Sequence, residues 1–261
     1  MAAEAITNEE LYRRLVTRMN WRLSGFRIVY KDESKLHRAI GRLIRPINPR
    51  YMGQFWTTYG KTIAVPSYGT IEKDYWRAFY VLAHEYVHMW DYQLSPWRYV
   101  LRYVLPQGFA VLSLLALLAL FLSKYFLLML VFLLCLGPWP SASRTGIELR
   151  GFGMGVSIDA WVHGKPVSAL ALQGRANYFK SWEYYRMWTN RVDVVRALDV
   201  FNRIARLTAT GPKEAIDLSD EDTPYMDVFH ILDEAGRVKR DGEFDHTYVS
   251  TGLSAPPANH L

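Results

Sequence analysis

The stretch Tyr75-Trp-Arg-Ala-Phe-Tyr-Val-Leu-Ala-His84-Glu85-Tyr-Val-His88-Met-Trp-Asp91 carries the pattern H-E-x-x-H on a segment free of helix breakers. A spacing of four puts His84 and His88 one turn apart on one helical face, where two imidazoles can hold one metal ion. Glu85 lies about 100° round the axis from His84. From there it is placed to take a proton from a water on the metal rather than to ligate beside the histidines. Zinc with three protein ligands keeps its fourth position for such a water and lowers the water's pKa toward about 7. In a 261-residue chain with 7 histidines the pattern arises by chance roughly 0.01 times. Val81, Leu82, Ala83, Tyr86, Val87, Met89 and Trp90 make the predicted helix apolar nearly all round, so ionisable groups inside it need partners.

The rest of the chain frames this helix. Half of the residues are hydrophobic, enough for a large core. The single cysteine, Cys135, excludes an intrachain disulfide and fits a reducing compartment. A formal charge of +6 suits an anionic partner such as lipid headgroups, but no aromatic-basic pattern specific for nucleic acid is present, and no nucleic-acid partner is expected. The polar, acidic N-terminus is unlike an export signal. Residues 7–24 predict an amphipathic helix with Thr7 as N-cap and Glu10 completing a capping box. A short strand follows at Phe26–Tyr30, then a helix over Glu33–Leu43. A hairpin is predicted from Phe55–Tyr59 and Thr62–Val65 around Gly60-Lys61, a type II′ signal. Such a strand before a metal helix can pair with an extended substrate backbone or can merely support the helix. Further helices are predicted at Arg175–Trp188, Val192–Leu207 and Thr223–Asp233. An acidic loop at Asp217–Asp222 reads as a cap, and residues 252–261 as a loose tail.

From Tyr103 to Leu122, and again from Phe126 to Leu136, the chain is almost wholly apolar, interrupted by Ser123-Lys124-Tyr125. A soluble domain of this size rarely hides such a run. It can be one tilted membrane helix, a helical hairpin turning near Lys124, or a helix pair buried in an assembly. The flanks favour the hairpin. Arg98 and Arg102 precede the run and Arg144 and Arg150 follow it, with Trp97, Tyr99, Tyr103 and Trp139 at the same two ends, so both ends face the cytoplasm by the positive-inside rule.

A third metal ligand must come from outside this insert. Glu148 is the first carboxylate after it, on a segment whose glycines (Gly151, Gly153, Gly155) allow close helix packing. Asp159, His163 and Glu183 are alternatives. Asp91 suits a supporting carboxylate that holds the second ring nitrogen of His88, or else a solvated helix end. His84-Glu85-x-x-His88, an aspartate shortly after it, a hydrophobic hairpin and then Glu148 with a small residue three positions on together resemble the gluzincin peptidases. The order is most like the membrane-embedded CAAX-prenyl endopeptidases and the bacterial heat-shock membrane endopeptidases. The resemblance covers roughly residues 81–155. It implies zinc (Zn2+) held by His84, His88 and Glu148, with Glu85 as general base. Where that family has an aspartate four residues after the glutamate, this chain has Phe152, and it has no membrane helices before the metal helix.

The resulting expectation is an α+β, mostly helical zincin-like domain with an inserted membrane-associated hairpin. Residues 1–96 form its N-terminal half including the metal helix, 97–140 the hairpin, 141–251 a helical C-terminal half with the third ligand, and 252–261 the tail. The expected function is zinc-dependent endopeptidase activity on a protein or peptide substrate at a lipid bilayer, with the catalytic part facing the cytoplasm. For the oxyanion, Tyr184, Tyr185, His163 and His230 are all possible donors. The competing expectation from another class is a membrane-anchored structural or assembly protein, such as one carried in a virion, that keeps a zincin fold as a scaffold.

Overall fold

In the computed structural model of the chain, residues 6–45, 49–137, 139–181, 186–188, 190–210 and 223–239 are described. The expected Asp217–Asp222 loop, the 252–261 tail, Glu183, Tyr184 and Tyr185 lie outside them. Helix α1 (Asn8–Arg22) starts where the sequence predicts it: Thr7 is extended, and its side chain accepts from the Glu10 backbone N–H at 3.2 Å. The Glu10 side chain turns instead to Arg14, so only half of a capping box forms. Strand β1 (Arg27–Tyr30) leads to α2 (Lys35–Ile44), capped by Ser34. Strands β2 (Thr57–Tyr59) and β3 (Thr62–Val65) then form the predicted hairpin. Gly60 takes φ +61° at the first turn position, the left-handed value glycine tolerates there. The sheet order is β1-β3-β2, with β1 parallel and β2 antiparallel to β3, so β2 is an edge.

A short α3 (Tyr68–Lys73) precedes α4 (Tyr75–Leu94), the helix that carries H-E-x-x-H. Asp74 separates them by accepting from the Arg77 N–H at 2.9 Å, which satisfies one orphan donor of the new helix. Helix α5 (Pro96–Val104) follows at once, its proline in the first turn. The apolar run forms two tightly wound 3-10 segments, Gln107–Leu120 and Lys124–Leu136, packed side by side as a hairpin. Its turn falls at residues 121–123, close to the predicted position. The expected first apolar run, Tyr103 to Leu122, is bent near its start, where α5 and Gln107–Leu120 meet at 81°. Among the described residues no single helix is long and apolar enough to cross a membrane; only this bent pair, taken together, has the length and composition of a span. The hairpin is not buried: Phe121 is 82% exposed and Leu120 77%.

Helix α6 (Ala142–His163) is the spine of the C-terminal half and ends at Gly164, whose φ of +64° closes it. Helix α7 (Ala169–Tyr178) is shorter than the predicted Arg175–Trp188 helix and starts earlier, because Ser168 caps it; the chain then turns at Lys180 and Ser181. Helices α8 (Arg191–Thr210) and α9 (Pro224–Glu234) match their predicted positions. Two cores result. In the larger, Leu11, Leu15 and Met19 of α1 pack on Phe79, Leu82 and Tyr86 of α4, Trp161 of α6 and Leu232 of α9. In the smaller, Phe152 and Val156 of α6 pack on Leu172, Ala176 and Leu198 of α7 and α8. Thus α6 is clamped between α4 and α8, and its glycines set the spacing. A methyl group added at Gly155 would run into Tyr80 Oη, and one at Gly153 would meet Phe201 at 2.6 Å.

Candidate metal centre

Helix α4 is held in rotation by what lies behind it. Tyr86 is fully buried and donates to Asp227 Oδ2 at 2.6 Å, and Asp227 also faces Arg18 at 3.2 Å and Arg22 at 3.3 Å. Tyr86 is about 200° round the axis from His84. Fixing Tyr86 on that buried carboxylate therefore turns the histidine face toward α6. There the two ring nitrogens His84 Nε2 and His88 Nε2 lie 3.0 Å apart. Glu148 Oε2 comes to 3.8 Å from the first and 3.7 Å from the second.

This arrangement can hold a metal ion, and its donor atoms all lie within 4.8 Å of one another. Two donors each about 2.1 Å from a tetrahedral zinc are roughly 3.4 Å apart, a value that the three measured separations bracket. The donor set, two imidazoles and one carboxylate, is one zinc accepts with an open fourth position. Glu148 is only 5% exposed, and burial works to raise its pKa. His88 and His84 outweigh burial and hold the carboxyl well below the usual range. His88 shows the converse: burial works to lower it, and Glu148, with Glu85 and Asp91, raises it. The pocket is thus organised around a buried negative charge facing two ring nitrogens.

Gly151 explains how α6 comes this close. A Cβ on it would meet His84 Cε1 and Nε2 at 2.6 Å and Nδ1 at 2.9 Å. Only a residue without a side chain lets the His84 ring lie across the helix there. The Phe152 and His84 rings meet edge to face with centroids 5.4 Å apart, so an aromatic ring packs on His84 where the resembled family has a carboxylate.

Glu85 is half-buried and lines the same cleft, a space of about 950 Å³. Residues 55–60, from β2 and its approaches, line it together with Tyr99, Tyr103 and Val104 and with His84, Glu85, His88 and Glu148. Two of the expected alternatives to Glu148 are placed otherwise, and the third, Glu183, lies outside the described residues. Asp159 is ion-paired with Arg175, and His163 is exposed at the far end of α6, about 22 Å along the axis from Glu148. Of the oxyanion candidates, His163 and His230 do not line the cleft.

The supporting role expected of Asp91 is not what forms. Asp91 pairs with Arg150 at 2.7 Å, and the buried Nδ1 of His88 has no hydrogen-bond partner among the described residues. The long guanidinium of Arg150, just before Gly151 and Phe152 on α6, reaches the carboxylate and claims it. Two residues beyond the three candidate donors now stand out at this site. Gly151 had a signal, a glycine three positions after a candidate ligand. Tyr103 had none: it reads as an interfacial aromatic, yet its hydroxyl donates to Glu148 Oε1 at 3.1 Å across 45 residues of sequence. No protein-family model, curated protein or solved structure matches this chain.

Proposed function

We propose that the protein is a zinc-dependent endopeptidase that works at a membrane surface. The observation that carries this reading is the convergence of His84, His88 and Glu148 beside Glu85 in a cleft walled by the edge strand β2. His84, His88 and Glu148 would hold the ion. When bound, zinc supplies Lewis acidity, polarising a carbonyl and acidifying water. The chain's own residues supply the rest. Glu85, next to His84 on α4 and open to the cleft, accepts a proton from the attacking water and returns it to the leaving amine. Strand β2 offers unpaired backbone groups to an extended peptide, which would add as a further strand and be held across the ligands.

The membrane part of the proposal rests on the hairpin. At a rise of about 2 Å per residue its arms are roughly 26–28 Å long, close to the roughly 30 Å of a hydrocarbon core. Its large apolar side chains point outward. The chain also returns to where it left, since His84 and His88 before the hairpin meet Glu148 after it. Exposed Arg98 and Arg102 flank it on one side and suit the cytoplasmic face. Arg144 and Arg150 are engaged with Gln107 and Asp91 and contribute less to that orientation. Helix α2 adds a second lipid-compatible face, with Leu36 62% and Leu43 79% exposed among exposed Lys35, Arg38 and Arg42.

The test is metal analysis and peptide hydrolysis with the detergent-solubilised full chain. Wild type is expected to carry about one zinc. Glu85→Gln should keep the metal and lose hydrolysis by at least about 100-fold, and Glu148→Ala should lose both. Zinc content unchanged by Glu148→Ala, or hydrolysis unchanged by Glu85→Gln, refutes the assignment.

A further inference from the structure

The apolar hairpin enters the chain between the second and third metal donors, and its base is tied to the first turn of α6. Arg144 Nε donates to the Tyr103 carbonyl at 2.9 Å, and its Nη2 donates to Gln107 Oε1 at 2.6 Å. Ser143 Oγ donates to the Arg102 carbonyl at 2.8 Å, and Ser141 Oγ to that of Leu105 at 2.9 Å. These bonds join the chain before the hairpin to the chain after it. Glu148 stands one turn further along α6, and the Tyr103 hydroxyl completes the link at 3.1 Å.

The two oxygens of Glu148 are divided between two tasks. Oε2 is the atom that faces both histidines, whereas Oε1 takes the tyrosine. The last torsion of a glutamate is broad and twofold, so without a partner the carboxylate would rotate through many poses. A donor on Oε1 restricts that rotation and leaves Oε2 presented. The hydroxyl is itself held firmly, because the Tyr103 ring stacks on Tyr99 at 5.9 Å and 15° and lies under the Arg144 guanidinium at 5.4 Å. Neither ring contact needs the hydroxyl.

We infer that Tyr103 is a positioning residue for the metal site, orienting the Glu148 carboxylate toward His84 and His88 from the base of the apolar hairpin. This rests on the proposed metal reading and extends it: the closure of the hairpin base becomes a condition for tight metal binding. Partners that orient a ligating carboxylate are worth about 10–100-fold in metal affinity. The coupling is reciprocal, so metal binding also tightens the hairpin base.

The experiment is a Co2+ titration of the full chain in detergent, read by visible absorption and by competition with Zn2+. Tyr103→Phe keeps the ring stack and is expected to weaken metal binding by about 10–100-fold. It should alter the cobalt bands while leaving the metal-free Tm within about 2 °C. Affinity within twofold of wild type with unchanged bands overturns the inference and leaves the metal reading standing. A metal-free Tm lowered by more than about 5 °C also overturns it, since Tyr103 would then be a packing residue. If wild type binds neither ion, the proposed function falls first and this inference with it. As a second reading without truncation, 3-fluorotyrosine at position 103 should show a 19F shift on adding Zn2+; an unmoved resonance counts against the link.

Discussion

Replacing Gly151 by alanine places one methyl group against the His84 ring. The new Cβ would meet Cε1 and Nε2 at 2.6 Å, whereas non-bonded carbons settle near about 3.5 Å. The ring must therefore retreat by roughly 0.9 Å, or α6 must lift from α4 by a similar amount. Neither is free: the ring is boxed by Phe152 at 5.4 Å and by His88 at 4.7 Å between centroids. Binding sites tolerate ligand errors of only about 0.5 Å, so we expect a loss of about 10–100-fold in zinc affinity, or about 1.4–2.8 kcal/mol. Metal-free stability should fall by no more than about 2 kcal/mol. Alanine in a helix interior recovers up to about 1 kcal/mol, while overpacking costs about 1–3 kcal/mol, and the two partly cancel. Gly146 is the control on the same helix, exposed and with nothing within 4 Å of where an added methyl would stand. Gly146→Ala should raise stability by up to about 1 kcal/mol and leave affinity unchanged. Chelator competition gives the affinities, and thermal melts in EDTA give the stabilities. Zinc affinity of Gly151→Ala within twofold of wild type would refute the packing argument for His84.

Two further outcomes concern the frame that holds the site. Asp227→Asn keeps an acceptor for Tyr86 but removes the charge between Arg18 and Arg22, of which only Arg22 is well buried. The loss should be about 2–3 kcal/mol, seen as a Tm lower by roughly 5–10 °C, and a Tm within about 2 °C of wild type would contradict it. Lys31 is fully buried, its amine donating to the carbonyls of Tyr51 and Phe55 and to Thr57 Oγ1, and burial lowers its pKa to about 8. A base depressed in the folded state is protonated more readily in the unfolded chain, so stability should rise with pH above about 8, toward its ordinary value of 10.5. The three acceptors favour the charged amine, so we expect the modest end, about 1 kcal/mol between about pH 8 and 10. Denaturant melts across that range in wild type and Lys31→Met check it, and an equal slope in both would remove Lys31 as the cause. Above about pH 10 the raised pKa of buried Tyr86 works the other way, costing stability as the unfolded chain ionises first.

What the sequence made legible follows from how local each signal is. His84 and His88 belong to one helix turn, and a cap such as Thr7 acts over three residues; both can be read directly from spacing. The β2–β3 hairpin is also local, fixed by Gly60 between two short β-prone runs. Glu148 was reachable because a carboxylate among helical glycines after an apolar insert leaves few rivals. Two of its rivals are placed elsewhere by tertiary structure, since Asp159 is taken by Arg175 and His163 stands exposed at the helix end. The length of α7 was misread for the opposite reason: the aromatic run from Tyr178 has helical spacing, but the backbone turns at Lys180 and Ser181, and spacing does not encode where a chain must turn to close a core. Asp91 was misread because Arg150, 59 positions away, reaches it at 2.7 Å. Tyr103 lies beyond any sequence rule for the same reason. Periodicity tells which face a residue occupies and never which partner will meet it there. Here that limit falls on the third candidate donor. A chain that inserts a hairpin between its second and third candidate donors places the third according to how the hairpin closes, and the bonds from Arg144, Ser143, Ser141 and Tyr103 join the two sides of that closure.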